Sequence, residues 1–129
     1  MNSGQLLVNY AGHGSVHLWG DGTPPLLQDV YTVPADQPVP VDDVRASWHN
    51  ATRLPFVVAM NCLNGLFDGI YDEESLAETL QRAPNGGAVA VWASSSVTPS
   101  ATQALVNLEL FRLIFQGTYA TCPEYQCLR

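Results

Sequence analysis

"LLVNYAGHGS", residues 6–15, begins as an apolar run and stops abruptly in small residues around a histidine held between Gly12 and Gly14. "FVVAMNCLNG", residues 56–65, repeats the layout, and its run ends on Cys62. A third run, "AVAVW", spans residues 88–92. Short continuous apolar runs bounded by Gly, Pro or Asn are typical of strands in a parallel sheet covered on both faces. Periodicity alone also admits buried helix, but run length and valine content favour strands at Leu6–Tyr10, Phe56–Met60 and Ala88–Trp92.

Between the second and third runs lies "DEESLAETLQRAPNGG". Ser75 followed by Glu78 has capping-box spacing, and the acids at 72–74 suit a helix N-terminus. Leu76, Leu80 and Ala83 form one buried stripe, and Pro84-Asn85-Gly86-Gly87 turns the chain. Strand, helix and strand in this length predict a βαβ crossover. A second helix is expected from about Ser100 to near Gly117, with Leu105, Leu108, Phe111 and Phe115 on its core face. Residues 20–55 carry Pro24, Pro25, Pro34, Pro38, Pro40 and Pro55 and read as a long irregular connection. A short amphipathic piece is expected within it at Val41–His49.

At 129 residues the chain has the size of one domain, and 47% hydrophobic against 13% charged residues suits a globular core. No apolar run reaches the ~18 residues of a membrane-spanning helix, and "MNSGQLLVNYAG" lacks the basic n-region of a signal peptide. A net charge of −7 without a Lys/Arg cluster argues against binding a nucleic-acid backbone.

In open α/β sheets, ligands bind outside the carboxyl ends of the strands. His13 lies three residues past the first expected strand and Cys62 two past the second, so parallel neighbouring strands would bring both to one edge. A free thiol is only a few per cent thiolate at neutral pH, and an adjacent imidazole activates it. The backbone N–H groups of Gly14 and Cys62 are candidates for facing a developing oxyanion. Each residue also has an ordinary reading, Cys62 as a small hydrophobe and His13 as a turn residue.

Metal chemistry is a weaker alternative. His13 and His17 have the i, i+4 spacing of a zinc pair on a helix, but "AGHGS" is a poor helix and no third ligand stands at motif spacing. His49 reads as a surface histidine. Asp68, Asp72, Glu73 and Glu74 offer a possible calcium cluster, without the spacing of an EF-hand loop. No resident cofactor is expected. Cys122 and Cys127 either pair in an exported protein or remain free thiols on a loose tail, residues 118–129.

Tyr10-x-Gly12-His13-Gly14-Ser15 with Trp19 shortly after, then Asn61-Cys62 with Gly65 and Phe67, resembles the gingipain-type cysteine peptidases of family C25, in the caspase-like clan. "SLAETLQRAPNGGAVAVWASS" is similar to that family's helix, Gly-Gly turn and strand. His13 precedes Cys62 by 49 residues, near the caspase separation of about 50. "MNCLNG" does not match the caspase signature, so the gingipain branch is preferred, with the CHAT branch of the clan as a near alternative.

The resemblance implies an α/β, three-layer caspase-like sandwich with a mostly parallel sheet. It implies a cysteine endopeptidase in which His13 is general base and acid, Cys62 the nucleophile, and Gly14 part of the oxyanion hole. Trp19, Trp92, Ser94 and Ser95 would lie on the substrate side, and the substrate would be a peptide or protein. Residues 1–129 would be a single partial domain whose N-terminal strands are missing, secreted or at the cell surface in the full-length protein. The missing N-terminal part of the same domain would be a partner. Two alternatives stand beside this reading: an inactive remnant or interaction module of the same fold, and an unrelated α/β ligand-binding domain with a structural Cys62.

Overall fold

The structure, a computed structural model, describes residues 2–20, 39–70 and 74–116. In chain order its elements are β1 (Leu7–Ala11), β2 (Gly14–Ser15), β3 (Leu18–Trp19), β4 (Val39–Pro40), α1 (Val41–Ser47), β5 (Phe56–Met60), α2 (Leu76–Arg82), β6 (Ala90–Ala93) and α3 (Ser100–Gln116). The chain divides into two compact units, Met1–Thr98 and Pro99–Arg129. The tail at 118–129, with Cys122 and Cys127, lies outside the described residues.

The three expected strands form one parallel sheet in the order β1-β5-β6. β5 lies in the middle, where its β-branched Val57 and Val58 are buried on opposite faces. β1 and β6 run one or two residues later than expected. Ala88 is held out of the ladder because its N–H donates to Leu80 O (2.7 Å), and Val89 N–H starts the approach to β5 by donating to Pro55 O (3.0 Å). Gly87 makes this turn at φ +99°, where a Cβ would overlap the Leu80 carbonyl.

α2 begins as the sequence predicts. The Ser75 side chain accepts from Glu78 N–H (3.4 Å), while Ser75 N–H donates to Glu78 Oε2 (2.9 Å). This reciprocal cap satisfies two of the donors a helix start leaves open. Ser75→Ala should therefore lower stability by about 1 kcal/mol, read as a lower midpoint in thermal unfolding.

One face of the sheet packs on α1 and α2. Val8, Tyr10, Val57, Val44, Leu76, Leu80, Trp19, Trp48 and Ala88 form the core there. Tyr10 stacks on Trp19 with ring centroids 4.9 Å apart, and Trp19 meets Trp48 edge-on at 6.4 Å. A small antiparallel sheet, β2-β3-β4, was not expected from the sequence. It places Val16 and His17 at the tip of a tight hairpin, so the helix that a His13–His17 zinc pair requires is absent.

α3 is described by itself. It has the predicted start, and Leu105, Leu108 and Phe115 of the expected core face are exposed. α3 is the sole described element of its unit. Arg112 pairs with Glu109 one turn away and holds that carboxyl below its ordinary range through their hydrogen bond.

Candidate active site

The register of the parallel sheet sets the geometry. Ala11 is level with Met60, and Gly12 N–H extends the pairing by donating to Met60 O at 3.2 Å. His13 and Cys62 each lie two residues beyond that matched pair, so they leave the same carboxyl edge of adjacent strands. β6 ends level with Ala59, so Ser94 and Ser95 follow at this edge too.

The histidine loop is held at its backbone. His13 O accepts from the Tyr10 hydroxyl (2.6 Å) and from Gly20 N–H (2.7 Å). The second bond closes the β2–β3 hairpin one pair beyond Gly14 and Trp19. Hydrogen-bonded and non-bonded pairs alternate in an antiparallel ladder, so Gly14 N–H points away from its hairpin partner. Gly14 is also confined: a Cβ there would stand 2.6 Å from Asn61 Cγ. The imidazole of His13 belongs to an exposed residue.

The cysteine loop rests on the segment after β6. Leu63 N–H donates to Ser96 O (3.2 Å) and Gly65 N–H to Ser94 O (2.8 Å). The half-buried Cys62 thiol reaches Thr98 O at 3.8 Å. Leu63, next to the thiol, sits at φ +66°. A non-glycine residue in that region costs on the order of 1–3 kcal/mol, and such strain gathers at active sites.

Two residues singled out by no role in the sequence tie these loops together. Asn61 Nδ2 donates to Asn64 Oδ1. Asn64 Nδ2 in turn donates to Ser15 O and to Leu18 O (3.0 Å) on the histidine hairpin. The available signal was a pair of carboxamides flanking Cys62 in an apolar run, since buried amides demand partners. α2 joins the same assembly: Leu76 N–H donates to Val16 O (2.8 Å) and Ala77 N–H to Asn64 O (3.0 Å).

The remaining candidates separate. Trp92 is 49% exposed on β6, and Ser95 is exposed beside it. Trp19 is only 1% exposed, so its expected substrate contact is corrected to a place in the core beneath the hairpin. Its apolar rings find better cover against Tyr10 and Trp48 than water would give. The acidic residues are described only in part. Glu74 pairs with Arg45 (3.4 Å) and Arg82, Asp68 accepts from Ile70 N–H (3.1 Å), and Asp72 and Glu73 lie outside the described residues. His49 is exposed, as read. No helix among the described residues is long and apolar enough to cross a membrane.

The family model for peptidase family C25 matches residues 1–126. Among solved structures, the Arg-specific cysteine proteinase gingipain R is similar over 90% of this chain, with 28% identity and a TM-score of 0.70. A second structure, of a protease, matches 78% of the chain at 23% identity with a TM-score of 0.60, a likeness of fold. The chain spans 24% of the gingipain R chain and 18% of the second. No curated protein sequence matches. The family match overturns the unrelated ligand-binding alternative.

Proposed function

This chain belongs to peptidase family C25, and from that premise we propose that its two sheet-edge loops form a thiol–imidazole centre that hydrolyses peptide bonds. The observation that carries the reading is the Ala11–Met60 register, which sends the His13 and Cys62 loops out at one edge. His13 takes the proton from the Cys62 thiol, and the thiolate attacks the scissile carbonyl carbon. The carbonyl oxygen becomes an oxyanion facing the N–H groups of Gly14 and Cys62. Each such donor contributes about 3 kcal/mol to the transition state. His13 then returns its proton to the leaving amine, and the C–N bond breaks to leave a thioester. Water, deprotonated by His13, attacks that ester; the acid product leaves and the thiol regains its proton.

The substrates are peptides or proteins that reach the edge beside Trp92, Ser94 and Ser95. Work outside the cell is part of the same reading and rests on the likeness to gingipains. Iodoacetamide at neutral pH should label Cys62 ahead of Cys122 and Cys127, with the preference lost in His13→Ala, as mapped by peptide mass spectrometry. Equal labelling of all three thiols in the unaltered protein would overturn the dyad in favour of an inactive remnant of the fold.

A further inference from the structure

We propose that Asn64 is the positioning residue that sets the histidine loop against the cysteine loop, with Asn61 as its support. The inference rests on the dyad reading above and goes beyond it to a residue outside the reacting groups. Asn64 is 1% exposed, as is Asn61, so each carboxamide has given up water and needs protein partners.

Their bonds run in one direction across the site. Asn61 Nδ2 donates to Asn64 Oδ1, which leaves the Asn64 NH₂ group free to serve two acceptors at once. Those acceptors are Ser15 O and Leu18 O, the facing carbonyls of the hairpin that begins at Gly14. Asn64 lies two residues after Cys62, and Ser15 two residues after His13. The bridge therefore joins the loops at matching positions beyond the two reacting side chains. Gly12 N–H to Met60 O joins them before those side chains. The His13 and Cys62 backbones are thus clamped on both sides.

Gly14 completes the fit. The Asn61 carboxamide occupies the space a Cβ at 14 would need, so bridge and hairpin edge are in van der Waals contact. Asn64 O meanwhile accepts Ala77 N–H (3.0 Å), which fixes Asn64 to the start of α2. Asn64 thereby holds the hairpin by its side chain and the helix by its backbone. An aspartate of the same shape would offer oxygen where both hairpin carbonyls need a donor.

The test measures iodoacetamide alkylation of Cys62 between pH 5 and 9 in the full chain, with and without His13→Ala, in three backgrounds: unaltered, Asn64→Asp and Asn64→Ser. In the unaltered background His13→Ala should slow alkylation at neutral pH about tenfold or more, by removing the imidazole that stabilises the thiolate. In Asn64→Asp the same change should alter the rate by less than about twofold, with the pH profile moved toward that of an ordinary thiol. Asn64→Ser keeps one small donor without adding charge, and should give an intermediate dependence if Asn64→Asp fails to show a cooperative melt. Full dependence on His13 in a folded Asn64 variant overturns the positioning role. An unaltered protein without His13 dependence overturns the dyad reading instead.

Discussion

Cys62→Ala is expected to reduce peptide hydrolysis by at least about 10³-fold, with KM nearly unchanged and the unfolding midpoint within about 3 °C of the parent. The loss is large because no other group in the loop supplies a nucleophile: Leu63 is aliphatic, and Asn61 and Asn64 are consumed in the bridge. KM should hold because, in the proposed mechanism, the thiol contributes to the transition state rather than to ground-state binding. Stability should hold because the half-buried sulfur has one weak acceptor contact, at Thr98 O. Cys62→Ser should be nearly as inactive, since a hydroxyl is far harder to deprotonate than a thiol. Hydrolysis surviving in Cys62→Ala, in protein purified free of contaminating peptidase, would remove Cys62 from the chemistry.

The largest effect on stability is expected at Trp19. Trp19→Ala deletes a side chain that is 1% exposed and touches two other aromatic residues. Truncations of this kind cost about 3–5 kcal/mol. A domain has only about 5–15 kcal/mol to lose, so the midpoint in far-UV circular dichroism should fall by more than about 10 °C. Trp19→Phe keeps a ring beneath the hairpin and should recover most of the fall. Because Trp19 is the ladder partner of Gly14, Trp19→Ala should also slow Cys62 alkylation at temperatures below its melt. A midpoint within about 3 °C of the parent would mean that the hairpin does not rest on this ring.

The parallel strands were legible because their runs are short, apolar and rich in β-branched residues, which favour strands. Phe56–Met60 has the bounds read from sequence, and the Ser75–Glu78 cap has the reciprocal bonds that its spacing implies. Placing His13 and Cys62 at one edge needed only strand ends and parallel pairing. The small β2-β3-β4 sheet was not legible, because its strands are two residues each and carry no alternation. Trp19 was misplaced for a related reason: proximity to a histidine motif in sequence says nothing about which way a ring turns. The apolar period of α3 was legible too, and it reports what a helix is able to bury.

α2 spends its opening N–H groups on carbonyls of the two loops, Val16 O and Asn64 O. The helix start and the two loops of the proposed site therefore share their bonds, and neither has a private reserve of order. On heating, α2 should not outlast the loops: loss of amide protection in its first turn, read by hydrogen exchange, and loss of thiol reactivity belong to one cooperative event. Any route to looser, more promiscuous loops in this protein would accordingly be taxed in folding, because the first turn of the helix would fray along with them.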